Sequence, residues 1–204
     1  MKKWKYVVLG ASLLLGACQP MGMKGGDTMK NSTDMTMKDK KEKIHKTNAL
    51  RQLDKNKIPY TIHTYEWSEN KSGGLGVAEH FPELAERIFK TIVLKGKSKA
   101  LYVCVIHGDA HLNLKKVAKA CGEKNIDLLP LSELEKETGY VRGGCSPVGM
   151  KKLYDTFFDV EAEKFDRIIV SAGKRGLQME VETEKLIHII NGKVTELKLE
   201  EEDI

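Results

Sequence analysis

Two β-rich segments joined by a short polar turn constrain the fold of this chain more than any other part of its sequence. The first is IFKTIVLKG (88–96), the second is ALYVCVIHG (100–108), and the turn KSKA connects them. Both are rich in β-branched residues, and such runs on either side of a polar turn are typical of an antiparallel hairpin. The sequence therefore predicts that part of the sheet is antiparallel.

Helical and strand patterns alternate along the rest of the body. Periodicity predicts helices over ALRQLDKN (49–56), NLKKVAKACG (113–122), SELEKETG (132–139) and TEKLIHIING (183–192), and a short helical stretch broken at Pro82. It predicts strands over YTIHTYEW (60–67), FFDV (157–160), RIIVSAG (167–173) and QMEVE (178–182). Ser132 and Glu135 have the spacing of a capping box. Because helices, strands and a hairpin interleave, we expect an α/β (α+β) domain with a mixed sheet.

The N-terminal segment differs from this body in pattern. Three lysines precede a short apolar run from Tyr6 to Leu15, and Leu15-Gly16-Ala17-Cys18 then reads as a lipobox. This order resembles a bacterial lipoprotein signal, and the resemblance implies a lipid on Cys18. The residues that follow lack periodicity. The predicted organisation is a signal peptide (1–17), a disordered tether (18–43), the folded domain (44–196) and an acidic tail (197–204).

Met35 and Met37 allow a second location for the same domain. Translation from either methionine would give a chain without the signal-like segment, and we expect that chain to be cytoplasmic. If the signal segment is used, we expect a lipoprotein anchored to a membrane through Cys18. The sequence leaves both locations open.

Charge is unevenly distributed along the chain. Residues 1–57 contain 13 Lys and Arg against 5 Asp and Glu, whereas residues 58–204 contain 21 against 24. The net charge of +5 therefore comes from the N-terminal segment. Within the body, residues 87–124 carry nine basic and two acidic residues. This local excess fits a surface that faces a polyanion, and it fits solvated helix faces equally well.

A glycine-rich stretch, GYVRGGCSPVGMKK (139–152), surrounds Cys145. Its residues alone leave three interpretations open: a reactive cysteine near basic side chains, a phosphate cradle of backbone N–H groups, or a loop that needs glycine for tight turns. The spacing GxxxxGK[ST] is absent, which disfavours a nucleoside triphosphatase. A second glycine–basic turn, SAGKRG (171–176), favours the cradle.

Few other side chains suggest chemistry. Lys90 lies in the apolar strand FKTIVLK, where either an anionic ligand or a position at the strand edge would explain a lysine. His107 and His111 flank Asp109, but the intervening glycine weakens a metal site. The four cysteines have neither CxxC nor zinc-ligand spacing. We therefore expect no metal, no cofactor and no disulfide framework.

Five stretches together resemble the YbaK family. They are KTNALRQLDKNKIPYTIHTY (46–65), FKTIVLKGK (89–97), LNLKKVAKACG (112–122), TGYVRGGCSPVGMKK (138–152) and IIVSAGKRGLQMEV (168–181). Members of this family are free-standing Cys-tRNA(Pro)/Cys-tRNA(Cys) deacylases, related to the editing domain inserted in bacterial prolyl-tRNA synthetases. The resemblance implies a single α/β domain with a mixed, barrel-like sheet and surrounding helices. It also implies hydrolysis of cysteine mischarged onto tRNA(Pro), with Cys-tRNA(Cys) as a second substrate.

The resemblance assigns roles to individual residues. Lys90 matches the family's critical lysine, and the resemblance implies that it engages the phosphate at the 3′ end of tRNA. The residues that match the aminoacyl pocket are Tyr65, Gly143, Gly144, Cys145, Ser146, Pro147, Gly173, Lys174, Arg175, Gly176 and Gln178. Some members have an aspartate where this chain has Gln178, which puts the role of Gln178 in doubt. The family also accepts an aliphatic residue at the position of Cys145.

The family's mechanism uses the thiol of the substrate, which attacks its own ester carbonyl to form a thiolactone. The expected partners are tRNA(Pro), tRNA(Cys) and prolyl-tRNA synthetase, together with a membrane if Cys18 is lipidated. The alternative function is an envelope-anchored lipoprotein that keeps the fold and binds another ligand without deacylating tRNA.

Overall fold

The computed structural model describes residues 46–69 and 74–199. The predicted signal peptide, the tether with Cys18 and the acidic tail from residue 200 onward lie outside the described residues. The described residues form one compact unit. No helix within the described ranges is long and apolar enough to cross a bilayer.

Five α-helices and eight β-strands make up the described part of the chain. The helices are α1 (Asn48–Lys55), α2 (Gly74–His80), α3 (Leu114–Cys121), α4 (Leu131–Thr138) and α5 (Thr183–Ile189). The strands are β1 (Tyr60–Thr64), β2 (Phe89–Gly96), β3 (Leu101–His107), β4 (Ile126–Leu128), β5 (Asp155–Asp159), β6 (Arg167–Lys174), β7 (Leu177–Glu182) and β8 (Lys193–Thr195). Two 3-10 helices span Pro82–Arg87 and Val160–Lys164.

The strands form two sheets. One is antiparallel, in the order β1-β7-β6. The other has the order β4-β2-β3-β5-β8, in which the pairs β4–β2 and β2–β3 are antiparallel and the pairs β3–β5 and β5–β8 are parallel. The predicted hairpin is confirmed as β2–β3, and the fold class, an α/β domain with a mixed sheet, is confirmed as well.

Apolar side chains pack on both faces of the larger sheet. The largest cluster joins the two sheets to helices α1 and α5, and Leu50, Phe158, Met179 and Leu186 are fully buried in it. Side chains alternate between the two faces of a strand. In β3, Val105 therefore lies in this cluster, while Cys104 and Ile106 lie in a second cluster beneath α3. The sheet is therefore covered on both sides, which suits its parallel strands.

Helix boundaries follow capping residues in some places and not in others. Thr47 caps α1, since its side chain accepts a hydrogen bond from the Leu50 N–H. The predicted capping box of Ser132 and Glu135 is wrong, because α4 begins at Leu131 and Pro130 occupies the N-cap position without a side-chain hydrogen bond.

The chain stays folded beyond residue 196. Leu197 is fully buried beside α3, and its N–H donates to the Asp159 carboxylate across 2.8 Å. The Leu199 N–H donates to the carbonyl of His111. Residues 197–199 therefore belong to the packed body rather than to a tail.

Candidate active site

The candidate site lies where β2 loses its neighbours along one edge. β4 pairs with β2 only from Leu94 to Gly96, and β6 meets the start of β2 at one bridge, between Ile88 and Ile169. Residues of an antiparallel strand point their main-chain N–H and C=O groups alternately to its two sides. Since the Val93 carbonyl accepts from the Leu129 N–H on the β4 side, the main-chain groups of Thr91 point into the gap.

A small cavity of about 90 Å³ occupies this gap. Its wall combines residues of both sheets, of α2 and of the glycine-rich loop, and they are Tyr65, Val77, Ile88, Phe89, Lys90, Thr91, Gly143, Cys145, Ser171 and Gln178. Val77, Ile88 and Phe89 make part of this wall apolar, and only a few polar side chains line it. Such a combination is usual for a site that recognises a small molecule.

Lys90 is the cationic group of this cavity. Its side chain is half-buried, and burial lowers the pKa of the ammonium group, while the negative charge of Asp109 acts in the opposite direction. Within the described residues no acceptor forms a hydrogen bond with Lys90. A partly desolvated ammonium group without a hydrogen-bonded partner is suited to binding an anion.

The two glycine–basic turns predicted from the sequence contact each other. A Cβ atom on Gly144 would lie 3.0 Å from the backbone nitrogen of Arg175, so only glycine allows the turns to approach this closely. The Arg175 guanidinium donates to the Arg142 carbonyl across 2.9 Å and stacks on the ring of Trp67 at 4.1 Å. These contacts hold the loop that carries Gly143 and Cys145 against the hairpin of β6 and β7.

Tyr65 is fixed by the same hairpin. Its N–H donates to the Gly176 carbonyl across 3.0 Å, and Gly176, at φ +75°, leaves no room for a Cβ beside the Tyr65 carbonyl. The ring of Tyr65 packs against His80 and Phe81, at the end of α2 and just after it. The tyrosine wall of the cavity is thus held between the hairpin and the segment around α2.

Glu180 organises a polar network at the outer end of β7. It accepts hydrogen bonds from Arg87 across 2.9 Å and from His63 across 3.1 Å, and Arg167 also approaches it. Burial opposes ionisation of Glu180, but its hydrogen bond with His63 and the two arginine charges outweigh burial and lower the pKa of the carboxyl group. The network ties the 3-10 helix that ends at Arg87 to β7, the strand that carries Gln178.

Cys145 contacts the cavity but is not activated. Burial raises the pKa of its thiol to about 12, so the thiol stays protonated at neutral pH. Its side chain packs against the apolar cluster of Val93, Leu129 and Leu134. These surroundings suit Cys145 as a small apolar residue of the cavity wall and do not suit it as a nucleophile.

The structure brings most of the predicted pocket residues together. Lys90, Tyr65, Gly143, Cys145 and Gln178 line the cavity. The others support it from behind or flank its entrance: Gly144, Ser146 and Pro147 are buried in the loop, and Gly173, Lys174, Arg175 and Gly176 form the β6–β7 turn. Ser146 accepts from the Val148 N–H, a bond that shapes the loop.

Sequence reasoning missed two polar residues of the wall. Ser171 lies in β6 inside the motif SAGKRG, and Thr91 directly follows Lys90. The Thr91 hydroxyl is buried without a hydrogen-bond partner among the described residues. The only signal in the sequence that could have pointed to them is their position, next to Lys90 for Thr91 and inside the glycine–basic turn for Ser171.

The histidines flanking Asp109 do not form a metal site. His107 forms a hydrogen bond with Asp109, and His111 lies at the exposed end of the loop. Among the described residues, no group of three or more His, Cys, Asp and Glu side chains could hold a metal ion.

Known proteins resemble this chain over the region that forms the cavity. A family model described as the aminoacyl-tRNA editing domain matches residues 76–189, which span β2, the glycine-rich loop and the β6–β7 hairpin. The chain belongs to the aminoacyl-tRNA editing domain family. The cavity walls formed by Lys90, Gly143 and Gln178 all lie inside the matched region.

A relative supports this membership over nearly its full length. A protein of Enterococcus faecalis, provisionally named the Cys-tRNA(Pro)/Cys-tRNA(Cys) deacylase EbsC, is 44% identical over 162 residues, which cover 79% of this chain and 99% of the relative.

Two solved structures share the editing-domain fold. A hypothetical protein matches with a TM-score of 0.68 at 17% identity and covers 75% of this chain and all of its own. A protein provisionally described as a trans-editing enzyme for prolyl tRNA synthetase matches with a TM-score of 0.64, also at 17% identity, over 75% of this chain and 96% of its own.

Proposed function

We propose that this protein is a trans-editing hydrolase that removes cysteine from mischarged Cys-tRNA(Pro), and from Cys-tRNA(Cys) as a second substrate. The observation that carries the proposal is the cavity of about 90 Å³ with one half-buried lysine at its wall, which forms no hydrogen bond with any described residue. A space of this size suits a small aminoacyl group, and the lysine suits a phosphate of the nucleic acid. The name of the relative that is 44% identical points to the same substrates.

The chemistry needs little from the protein beyond positioning. The substrate's thiol sulfur attacks the carbonyl carbon of its own ester, so that a C–S bond forms while the C–O bond to the ribose breaks. The thiol proton passes to the departing ribose oxygen, and water then opens the thiolactone to give cysteine. Orienting an intramolecular attack contributes up to about 7–11 kcal/mol, although the strain of a four-membered ring offsets part of this gain.

The wall residues fit the needs of this reaction. Lys90 would hold the phosphate next to the ester, and the loop at Gly143 would place backbone N–H groups near the developing oxyanion. Tyr65 and Gln178 would bound the aminoacyl group. No protein nucleophile is required, which agrees with a Cys145 thiol whose pKa is raised by burial.

The test is release of cysteine from Cys-tRNA(Pro) by the purified full chain. Wild-type protein should release cysteine, and Lys90→Ala should slow the release by at least about 100-fold, as expected for loss of a group that binds the charge of the reacting complex. Lys97→Ala, on the exposed β2–β3 turn, is the matched control and should retain wild-type activity. A wild-type chain that leaves Cys-tRNA(Pro) intact, where a deacylase of known activity works, would contradict the proposal.

We further propose that the choice of start codon decides where the protein acts. A chain begun at Met35 or Met37 would be cytoplasmic, where it meets tRNA(Pro), tRNA(Cys) and prolyl-tRNA synthetase. A chain begun at Met1 would be a lipoprotein anchored at Cys18. The intact mass of the protein isolated from cytosol and from membranes distinguishes the two, because lipidated Cys18 would appear only in the membrane fraction.

A further inference from the structure

Glu180 links the two sheets at one end of the candidate cavity. The sheets meet at the bridge between Ile88, which precedes β2, and Ile169 of β6, and beyond this bridge no described residue of β2 pairs with β6. Glu180 pairs with Ile169 within the smaller sheet, and Arg87 is the residue before Ile88. The hydrogen bond of 2.9 Å from Arg87 to Glu180 therefore joins the segment that leads into β2 to the smaller sheet, beside the bridge.

The cavity begins where this link ends. Lys90 lies two residues after Ile88, and Gln178 lies two residues before Glu180 on β7. Because side chains alternate between the two faces of a strand, Glu180 and Gln178 lie on the same face of β7. Both Lys90 and Gln178 line the cavity. The separation of the strands at the link thus affects how far apart these two wall residues stand.

The surroundings of Glu180 suit a group that holds a fixed position. Its side chain is only 13% exposed, and its two carboxylate oxygens accept separately from Arg87 and His63. Arg167 lies 3.4 Å from the oxygen that Arg87 contacts, and it donates to the main-chain carbonyl of Glu180 across 3.0 Å. Side chains from β1, β6 and the 3-10 helix therefore hold one carboxylate. Charge-assisted hydrogen bonds of this kind are stronger than neutral ones and fix geometry.

We propose that Glu180 is a positioning residue for the editing reaction, which acts by holding Arg87 and with it the start of β2. This inference rests on the proposed function. The bound substrate would contact Lys90 on one wall and Gln178 on the other, so both contacts form together only at the right spacing. A displacement of about 1 Å at a reacting group can lower a rate on the order of 100-fold.

The first test removes one charge of the link at a time. Glu180→Gln and Arg87→Met should lower the kcat for Cys-tRNA(Pro) at least about tenfold and change its KM by less than about threefold, because alignment acts on the transition state more than on binding. Steady-state release of cysteine by the full chain measures both constants. Wild-type kcat in both variants would overturn the proposal.

Two further variants separate the link from a general loss of structure. Arg87→Lys keeps a cation beside Glu180 and should recover most of the kcat that Arg87→Met loses. Glu182→Gln is the matched control on the same strand, since Glu182 is partly exposed and pairs with Lys185, and it should keep the wild-type kcat. If Glu180→Gln does not fold, Arg87→Met and its recovery by Arg87→Lys decide, and no recovery would overturn the proposal.

The second test measures the cavity wall without turnover. Burial lowers the pKa of Lys90, so this pKa should rise toward 10.5 if the wall moves and water enters. Loss of the negative charge of Glu180 would by itself lower the pKa of Lys90, because a nearby anion favours the charged ammonium group. NMR titration of the Lys90 side chain in Glu180→Gln therefore separates the two effects. A rise supports positioning, and an unchanged or lower pKa would overturn it.

The two proposals fail separately. If the wild-type chain releases no cysteine but the pKa of Lys90 rises in Glu180→Gln, the proposed function fails and Glu180 still positions the wall. If the wild-type chain releases cysteine and the Glu180 and Arg87 variants match its kcat, the proposed function stands and the positioning role fails.

Discussion

At the residue level, Lys90 carries a cost in stability at the wall of the candidate active-site cavity. Burial lowers the pKa of its ammonium group from the ordinary value of 10.5, which means that the folded state disfavours the charged form. An apolar side chain in the same strand position would avoid that penalty. Residues of this kind are retained when activity needs a group that stability does not.

Replacing Lys90 by methionine should therefore stabilise the protein while it removes the activity. At neutral pH Lys90→Met should unfold at a higher urea concentration than wild type. Lys90 has a higher pKa in the unfolded chain than in the folded protein, so the unfolded chain binds more protons between the lowered folded pKa and 10.5. Over that pH range the unfolding free energy of the wild type therefore rises with pH. The difference in stability between Lys90→Met and wild type becomes smaller over the same range. Lys97→Met, on an exposed turn, should change stability by less than about 0.5 kcal/mol. A variant less stable than wild type at pH 7 would contradict this account.

Cys145 is the residue whose sequence context most suggests a nucleophile, and its surroundings argue against that role. Cys145→Ala should keep the deacylase activity within about tenfold of wild type, because loss of a nucleophile lowers kcat on the order of 10⁴-fold or more. The pH–rate profile between pH 6 and about 9 should be the same for both proteins, since burial raises the pKa of the thiol to about 12. A well-folded Cys145→Ala protein without turnover would show that the thiol reacts.

Sequence reasoning found Lys90 because a lysine interrupts an otherwise apolar strand. It did not find Thr91 or Ser171, because threonine and serine fit an ordinary strand pattern. Nothing in that pattern shows where a strand lacks a neighbouring strand to pair with. The Thr91 hydroxyl is notable only once the paired strands are known.

At the level of elements, the contact between the two glycine turns shapes the cavity. In Gly144→Ala the new Cβ would lie 3.0 Å from backbone atoms of Lys174 and Arg175, which cannot move as a side chain end can. We expect a loss of about 1–3 kcal/mol in unfolding free energy and reduced deacylation, because the loop must shift.

A glycine elsewhere provides the control for Gly144→Ala. Gly122 ends α3 at φ +72°, and a Cβ added there would meet no atom within 4 Å. Gly122→Ala should cost about 1 kcal/mol from backbone strain alone and leave the deacylase activity unchanged. Equal losses of activity in the two variants would mean that the Gly144 contact has no particular role in the cavity.

The elements themselves were predicted well because period and composition are local signals. The hairpin, α1, α3 and the β6–β7 strands all occur near their predicted positions. The predicted cap at Ser132 is wrong because the sequence contains two possible starts for this helix. Pro130 fixes the backbone at the N-cap position, and Ser132 lies inside the first turn of α4.

At the level of the whole molecule, the last described residues pack into the apolar cluster between the larger sheet and α3. Leu197→Ala should lower the unfolding free energy by about 2–5 kcal/mol, because Leu197 is fully buried beneath α3. Leu199→Ala, at a site that is 40% exposed, should cost less than about 1 kcal/mol. Urea unfolding measures both, and equal effects would show that residues 197–199 are not part of the core.

The arrangement of the site could not be predicted from the sequence, since it depends on which strands pair. The pattern identifies β2 and β6 as strands but predicts no strand at β4 (Ile126–Leu128). It also does not say that β4 pairs with β2 only from Leu94 to Gly96, or that β6 meets this part of the chain at a bridge to Ile88. These long-range pairings create the gap. The family resemblance implies some of the residues that line it, among them Tyr65, Lys90 and Gln178.

Because the edge of β2 is unpaired at Thr91, the Thr91 amide should respond to ligand binding in the small cavity. Its amide points into the gap while the amides of its strand neighbours are paired with β3. In native-state hydrogen exchange this amide should exchange faster than those of Lys90 and Ile92 in the free protein. It should slow when a ligand fills the small cavity, so the exchange of a single amide can follow binding without an attached probe group.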